Sequence, residues 1–475
     1  MTFPGSGRQS GPALVSATSG DVLSYRDLEA QGRELCAPLG RAKELLLLFC
    51  RNDAFTVAAY TGTVGAGHAV ALLDGQGSPQ LGADLVTAYR PAWLAGPPGV
   101  AERLATCGVP VQAIIPVDGG ELVRTEYLSP GGLHPNLSVM LATSGTTGSR
   151  RFVRLSERNV RANAESIARY LGLTPDERPI TSLPLHYSFG LSVLNSHLLT
   201  GAMVVLSGDS VLQRPFWDAF RAHGCTSLAG VPFTFQMLER VGFRDMDLPT
   251  LKTLQQAGGA LDLHLTRVYA EHMARLGGRF FVMYGQTEAT ARIAYVPPER
   301  LLDKLGSAGI AIPAGRLRID ADESASPAAR STGEIIYEGP NVMLGYASDP
   351  DDLRRDDDLQ GVLRTGDIGY LDEDGFLFLV GRSKRIAKVF GLRVNLDEVE
   401  VALRESGPAA VVGGPDAIWA FCAFGTNKSL ADLARTLARH YRLHHSALHF
   451  RRVEAIPTTE SGKTDYGQVQ AWMTS

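Results

Sequence analysis

The sequence predicts an α/β protein with a large N-terminal region of wrapped β-sheets, a β-rich subdomain, and a small mobile α+β domain at the C-terminus. Short apolar runs alternate with helical segments over the first two thirds of the chain. From about Gly306, the residues Gly, Pro and Asp separate short alternating runs, and strand and helix patterns mix after residue 385. A chain of 475 residues is too long for one ordinary domain, so two or three are expected.

The first strand–helix–strand unit is predicted at Leu45–Cys50, Ala54–Gly65 and His68–Leu73. Because parallel strands need a crossover, which is usually a helix, this order predicts a parallel sheet. The same pairing of strand and helix recurs later, at Ser138–Ala142 with Val160–Leu171 and at Met203–Leu206 with Phe216–Ala222, and a further strand is predicted at Phe280–Met283.

The later part of the chain has a different pattern. Antiparallel strands are predicted at Leu317–Asp320, Gly333–Tyr337, Gly369–Leu371 and Phe376–Val380. A basic stretch follows Gly381, and a helix is predicted to begin at Asn395, with Glu398 three residues later as in a capping box. We therefore expect an N-terminal domain over residues 1–381, a C-terminal domain over 385–475, and a joint at 382–384.

Composition excludes several classes of protein. With Lys+Arg 46 against Asp+Glu 50, the net charge of -4 provides no field for nucleic-acid binding. The first residues lack a secretory signal pattern, and the longest apolar runs are far shorter than the ~18 residues that span a bilayer, so a cytoplasmic protein without a membrane partner is expected. Five scattered cysteines without a CxxC pair predict buried or inert thiols.

The strongest local signal is the loop between the predicted strands Ser138–Ala142 and Phe152–Leu155. Small residues let backbone N–H groups surround an anion, while hydroxyls and two guanidiniums add donors for phosphate oxygens. No Gly-Lys-Ser/Thr follows at Walker A spacing, so this loop predicts a different polyphosphate site. Its candidate ligands are Thr143, Ser144, Gly145, Thr146, Thr147 and Gly148, followed by Arg150 and Arg151.

Six short segments occur in series along the chain. They are TSGTTGSRR from Thr143, LPLHYSFG from Leu183, YGQTE from Tyr284, RTGD from Arg364, GRSKR from Gly381 and TESGKTD from Thr459. In order and approximate spacing they resemble the adenylate-forming superfamily of acyl-CoA synthetases, peptide-synthetase adenylation domains and luciferases. The resemblance extends from Ser24 to Lys463, nearly the whole chain.

The resemblance implies an AMP-forming ligase that uses ATP and magnesium. A carboxylate would attack the α-phosphate of ATP, giving an acyl-adenylate and pyrophosphate, and the acyl group would then pass to a thiol of CoA or of a carrier-protein phosphopantetheine. Two alternatives stay open: a ligase with an amine or another non-thiol acceptor, and a non-catalytic nucleotide-binding protein of the same fold.

The resemblance also implies roles for individual residues. Tyr284 is expected to stack on adenine, Thr287 to donate to the α-phosphate, and Glu288 to hold magnesium. Asp367 is expected to accept from both ribose hydroxyls, and Arg382 to add a second contact to the nucleotide.

Further positions complete the implied nucleotide site and its moving parts. Lys463 resembles the lysine that bridges the reacting carboxylate and the α-phosphate, and Lys384 lies at the position of the family's hinge. The other residues expected to line the nucleotide are Gly258, Gly259, Ala260, Met283, Gly285 and Gln286.

The segment from Leu183 and the residues near Val231 are expected to form the substrate pocket. His186 or Tyr187 is expected to gate the acyl pocket, with a packed aromatic in an apolar turn as the alternative, and Val231 lies on the predicted wall. Aligned with amino-acid-activating domains, Gly190 falls where those domains carry the Asp that pairs with the substrate ammonium. Without that charge partner an α-amino acid binds poorly in a pocket of low dielectric. We therefore expect an acyl or aryl acid as the substrate.

Overall fold

A computed structural model of the protein describes residues 10–129, 131–142, 151–321, 331–382, 385–389, 392–414, 417–440, 443–459 and 464–473. These residues form two compact units. The first contains residues 10–142, 151–316 and 337–363, and the second contains 317–336 and 364–473.

The described residues contain many short strands. In chain order they are β1 Pro12–Ser16, β2 Val22–Ser24, β3 Leu45–Cys50, β4 Ala69–Asp74, β5 Trp93–Gly96, β6 Val111–Val117, β7 Gly120–Thr125, β8 Val139–Ala142, β9 Phe152–Leu155, β10 Val204–Leu206, β11 Ser227–Gly230, β12 Thr253–Gln256, β13 Arg279–Tyr284, β14 Ala294–Val296, β15 Ile310–Ala311, β16 Arg316–Ala321, β17 Gly333–Glu338, β18 Gly345–Ala347, β19 Val362–Leu371, β20 Leu377–Arg382, β21 Ile386–Val389, β22 Leu392–Asn395, β23 Ala409–Gly414, β24 Ala417–Cys422 and β25 Leu448–Arg452.

Helices separate many of these strands. They are α1 Tyr25–Cys36, α2 Ala54–Gly65, α3 Pro79–Tyr89, α4 Val100–Thr106, α5 Glu157–Leu171, α6 Ser188–Leu199, α7 Arg214–Ala222, α8 Pro232–Arg240, α9 Leu263–Arg275, α10 Leu396–Arg404, α11 Asn427–His440 and α12 Tyr466–Ala471. Within the described ranges, none of the helices has the length and apolar character needed to span a bilayer.

The largest sheet of the first unit has eight strands in the order β18-β9-β8-β4-β3-β5-β7-β6. Its centre, β8-β4-β3-β5, is parallel, as the strand–helix alternation predicts. Both edges are antiparallel, because β9 and β18 extend one side and the β6–β7 hairpin closes the other. All six residues of β3 are buried, which explains its continuous apolar run.

A five-stranded sheet in the order β11-β12-β13-β14-β15 carries the segments of interest for function. β11, β12 and β13 are parallel, and Gln256 on β12 pairs with Val282 on β13. The chain therefore leaves β12 and β13 at the same edge of the sheet, the edge at which open α/β sheets bind ligands. A third sheet of the first unit has the order β10-β1-β2.

The second unit is built from antiparallel strands followed by a small α+β fold. A four-stranded sheet has the order β16-β17-β19-β20, β21 and β22 form a hairpin, and a three-stranded sheet has the order β23-β24-β25. Val399 and Leu403 of α10 pack with Ile418 of β24 in one apolar core. The predicted β-rich segment and terminal α+β segment are both present, and α10 begins directly after Asn395.

The cysteines are free, as their spacing predicts. Cys36, Cys50, Cys225 and Cys422 are buried and Cys107 is partly buried. Burial raises the pKa of Cys225 to about 12 and that of Cys422 to about 11, so both remain unreactive thiols near neutral pH.

A fully buried arginine connects β9 to β18 and the residues after it at the edge of the eight-stranded sheet. Arg154 on β9 is 0% exposed. Its Nε donates to the carbonyl of Tyr346 at 3.2 Å, its Nη1 to the carbonyl of Arg355 at 2.6 Å, and its Nη2 to Oδ2 of Asp358 at 2.9 Å. Every nitrogen of this guanidinium thus has an acceptor, which is how a buried charge is tolerated.

His197 on α6 predicts a specific dependence of stability on pH. The ring is 0% exposed, its Nδ1 lies 2.8 Å from the Val193 carbonyl, and burial lowers its pKa to about 4. An unfolded-state pKa near 6.5 means that the unfolded chain binds the extra proton first, so the stability present above pH 6.5 is lost as the pH falls toward 4. Between pH 7 and pH 4.5 this loss is about 2.5 kcal/mol.

We expect His197→Gln to remove that loss from the free energy of unfolding in urea, measured at pH 7 and pH 4.5. The exposed His264 on α9 provides the matched control, since His264→Gln removes an imidazole from the protein surface. An unchanged pH dependence in His197→Gln would show that His197 does not contribute to acid destabilisation.

Candidate active site

The YGQTE segment forms a tight reversal at the end of β13. After Tyr284 the chain passes through Gly285 and Gln286 into a 3-10 helix, Thr287–Ala289, and returns as β14. The Ile293 N–H donates to the Tyr284 carbonyl at 2.8 Å. A Cβ at position 285 would lie 1.8 Å from the carbonyl oxygen of Ala291, so only glycine permits this approach.

The returning backbone is held in an unusual conformation. Thr290 and Ala291 have positive φ angles of 62° and 152°. The Asn341 Nδ2 donates to the carbonyls of Ala289 at 2.8 Å and Arg292 at 2.9 Å, and the Thr290 hydroxyl donates to the Asn341 carbonyl at 2.6 Å. Such conformations persist only where surrounding contacts impose them, and they concentrate at functional sites.

Two hydroxyls meet beside this reversal. The Oγ1 of Thr287 lies 3.2 Å from the Oγ of Ser188, the first residue of α6, and both residues are buried. The pair joins the LPLHYSFG segment to the YGQTE segment. It presents Thr287 as a hydroxyl whose orientation is set by a hydrogen bond.

Glu288 is oriented by a tyrosine from another part of the chain. The Tyr346 hydroxyl donates to its Oε1 at 2.8 Å, and the Arg151 guanidinium lies over the Tyr346 ring, 3.2 Å from the centroid. Burial and the Glu288 charge raise the pKa of Tyr346, so its phenol stays protonated and remains a donor.

A partly exposed carboxylate of this kind fits magnesium. Mg²⁺ is commonly held by one or two carboxylates together with substrate phosphates rather than by a cage of protein ligands. In the part of the chain that the structure describes, no group of three or more His, Cys, Asp and Glu side chains is arranged to hold a metal. The Glu288 carboxylate has the chemistry of such a magnesium ligand.

The glycine turn after β12 meets the residues expected to line the substrate pocket. Gly258 has a φ of 84°, and a Cβ there would lie 2.8 Å from the Tyr187 hydroxyl and 3.0 Å from Cγ1 of Val231. The side chain of Gln256 donates to the Gly259 carbonyl at 2.8 Å and fixes the turn. Gly259 and Ala260 lie exposed beyond it.

An aromatic cluster forms where the substrate pocket is expected. Its buried members include Phe189, Val231, Phe281 and Met283, with Tyr170, Tyr187 and Tyr295 packed against them. Tyr170 stacks on Tyr295 with ring centroids 4.2 Å apart and donates to the Met283 sulfur at 3.0 Å. His186 is partly buried at the start of α6. The structure thus brings Gly258, Tyr187, Val231 and Met283 into one region.

Gly190 has a packing reason to be glycine. It lies buried on α6, and a Cβ there would be 2.3 Å from the Pro184 carbonyl oxygen. The backbone of this segment consequently has no room for an Asp at position 190.

In the second unit, Asp367 and Arg382 face each other on β19 and β20. They are register partners, and the Nε of Arg382 donates to Oδ1 of Asp367 at 3.1 Å. Asp367 is 7% exposed, whereas the Arg382 side chain is 67% exposed. The Arg382 backbone N–H also donates to Oδ2 of Asp397 at 2.9 Å. A carboxylate with one side engaged by a guanidinium suits hydroxyl recognition.

Several predicted residues lie outside the described residues. They are Thr143, Ser144, Gly145, Thr146, Thr147 and Gly148 of the phosphate loop, with Lys384 and Lys463. The strands predicted on either side of the loop are present as β8 and β9, which pair in antiparallel fashion.

Three residues near the predicted ones could not be recognised from the sequence. Ser188 stood within a quoted segment and Arg292 followed one closely, but neither type of residue marks a role by itself. Tyr346, which is 58 residues from Glu288, had no sequence signal that could have linked it to that carboxylate.

Fold and site together define an adenylate-forming enzyme. Residues 7–347 match the family model described as AMP-binding enzyme, and the chain belongs to this family. It is 32% identical over 341 residues to the 2-succinylbenzoate–CoA ligase of Bacillus velezensis, covering 69% of this chain and 67% of that protein. It is 29% identical to the sulfoacetate–CoA ligase of Cupriavidus necator, covering 85% of this chain and 82% of that protein.

A solved structure has the same fold. The ATP-bound MatB of Rhodopseudomonas palustris superposes with a TM-score of 0.76 at 21% identity, covering 99% of this chain and 97% of that one. The matched segment covers 82% of the sulfoacetate–CoA ligase but only 52% of the luciferin 4-monooxygenase of Luciola mingrelica.

Proposed function

We propose that this protein activates an acyl or aryl acid with ATP and then transfers the acyl group to the thiol of CoA. A carboxylate oxygen bonds to the α-phosphorus of ATP while the bond from that phosphorus to the bridging oxygen of pyrophosphate breaks. In the second step the thiolate sulfur bonds to the acyl carbon and AMP leaves. The observation that carries this proposal is the position of Glu288, which is oriented by a tyrosine hydroxyl and lies next to Thr287 at the end of β13.

The residues of the first unit have distinct tasks in this reaction. Thr287 donates to the α-phosphate, Tyr284 stacks on adenine, and the Gly258 turn lets the nucleotide approach the backbone. Glu288 holds magnesium, which when bound neutralises charge on the phosphate oxygens. Lys463 adds a compact positive charge at the attacking carboxylate, where charge shifts during the reaction.

In the second unit, Asp367 accepts from the two ribose hydroxyls and Arg382 adds a contact to the nucleotide. The position of Arg382 beside Asp367 supports this assignment, because the hydrogen bond from the guanidinium orients the carboxylate. Lys384 is the hinge at which the C-terminal domain, residues 385–475, moves between the two half-reactions.

An acyl or aryl acid is supported by the substrate region itself. Tyr187, Phe189 and Val231 present apolar and aromatic surface, and position 190 cannot hold a carboxylate for an α-ammonium group. The two curated relatives named above are both CoA ligases of organic acids, which favours CoA as the acceptor. A carrier-protein phosphopantetheine offers the same thiol and is the second candidate.

The test is pyrophosphate release from ATP and magnesium with aryl, short-chain, long-chain and amino acids, with hydroxylamine to trap the activated acyl group. We expect pyrophosphate release with the aryl, short-chain or long-chain acids and none with the amino acids. Adding CoA or a phosphopantetheinylated carrier protein then identifies the acceptor by thioester formation. Activation of α-amino acids alone would refute the substrate class, and activation without any thioester would favour the amine-type acceptor.

A further inference from the structure

Arg292 is the second fully buried arginine of the first unit, with 1% of its surface exposed. It follows the strained Thr290–Ala291 backbone, and its carbonyl accepts from Asn341 and from Asn163. The backbone on both sides of the residue is thus fixed, and the side chain is directed into the aromatic cluster. Its guanidinium carbon lies 3.9 Å from the centroid of the Phe189 ring.

This guanidinium is not neutralised within the described residues. Its only side-chain hydrogen bond there is with the Tyr170 hydroxyl, and burial lowers its pKa. Nε and Nη2 are both buried and have no hydrogen-bond partner among the described residues. Arg154, equally buried, has an acceptor for every nitrogen including the Asp358 carboxylate. Packing therefore accounts for Arg154 and leaves Arg292 unexplained.

The two unpartnered nitrogens have a defined geometry. Nε and Nη2 lie along the same edge of the planar guanidinium, so their N–H bonds are parallel. Together they form the fork that binds a carboxylate or sulfonate through two oxygens. A buried guanidinium without an anion is destabilising, and a bound anion offsets this cost. The chemistry therefore calls for an oxyanion with two coplanar acceptors.

The location of Arg292 indicates which anion this is. The Arg292 guanidinium lies over the ring of Phe189. This phenylalanine packs with Tyr187, Val231 and Met283 in the expected substrate region. Arg292 lies four residues beyond Glu288, on the returning arm of the reversal that begins at Tyr284. The reacting carboxylate belongs beside Thr287 and the nucleotide, so Arg292 is available to a second group of the same molecule.

We propose that Arg292 is a specificity residue that binds a second anionic group, a carboxylate or sulfonate, at the far end of the acid substrate. This inference rests on the proposed function and narrows its substrate class to acids with two anionic ends. One end reacts with ATP, while the other pairs with the Nε–Nη2 fork and selects the substrate by charge.

The experiment compares acids in matched pairs that differ at the far end: butyrate with succinate, hexanoate with adipate, 4-methylbenzoate with terephthalate, and propionate with 3-sulfopropionate. Pyrophosphate release gives kcat/KM for each. We expect at least one pair to show a preference of about 100-fold or more for the dianionic member. In Arg292→Met the preference reverses, because the pocket becomes neutral and apolar, while Arg292→Lys keeps the preference in weakened form.

Arg161→Met is the matched control, since it removes an exposed arginine from α5, the helix that also carries Tyr170. Its selectivity should equal that of the wild type. Monoanionic acids used as well as or better than their dianionic partners in every pair would overturn the inference and leave the proposed function intact.

A binding measurement on the wild-type protein distinguishes the two proposals. It does not require any variant to fold. The shift in Tm of the wild-type protein is measured with each dianionic acid and its monoanionic partner, without ATP. Stabilisation by a dianionic acid only, without any pyrophosphate release, would refute the proposed function and support the anion site. The absence of stabilisation by every dianionic acid, together with no preference in turnover, overturns the anion site.

Discussion

Replacing Glu288 with Gln is expected to lower kcat/KM for pyrophosphate release by about 1000-fold without unfolding the protein. The substitution retains the shape of the side chain and its hydrogen bond with the Tyr346 hydroxyl, at 2.8 Å in the wild type. It removes the negative charge that we propose holds magnesium. The measurement is turnover at saturating ATP and increasing magnesium, with Tm recorded for the same samples.

Two variants make this result specific. Tyr346→Phe keeps the carboxylate and removes only the hydroxyl that orients it, so a loss of about 10-fold is expected, offset in part by higher magnesium. Glu271→Gln changes an exposed glutamate on α9 and should behave as the wild type. Activity of Glu288→Gln within about threefold of the wild type would remove Glu288 from the mechanism.

Lys463→Ala is expected to lower kcat for adenylation by about 1000-fold while changing the Kd for ATP by no more than about threefold. A lysine that bridges the attacking carboxylate and the α-phosphate acts most strongly as charge moves between them, and therefore contributes to the transition state more than to binding. Pyrophosphate release gives kcat, and calorimetric titration with ATP and magnesium gives the Kd.

The control is Lys428→Ala, which removes an exposed lysine of α11. Equal losses of kcat and ATP affinity in Lys463→Ala would count against a role in the transition state. Full activity of Lys463→Ala, with ATP binding retained, would show that adenylation does not require Lys463.

The local elements of the first unit could be predicted closely from the sequence. Leu45–Cys50 and Ala54–Gly65 match β3 and α2 at both ends, because an apolar run followed by Asp53 at the N-cap marks both boundaries. The order of strands could not be predicted. β18 joins β9 from almost two hundred residues further along, and local patterns carry no information about such pairing.

The site was predicted in part for the same reason. Glu288 and Thr287 stand in a short segment with a recognisable order of residues, so a role could be assigned to each. Ser188, Tyr346 and Arg292 acquire their relevance from contacts between distant segments, such as the Arg292 guanidinium on the Phe189 ring. Contacts of this kind follow from the assembled fold and have no counterpart in residue spacing.

The position of β18 far along the sequence affects how the chain folds during synthesis and where it can be truncated. The strand that covers the edge of β9, and the carbonyls that accept from Arg154, come from residues 344–356. A nascent or truncated chain that ends before them has an open sheet edge and a buried guanidinium without acceptors. The first unit is therefore expected to complete its folding only after this stretch is synthesised, and fragments that stop earlier should aggregate.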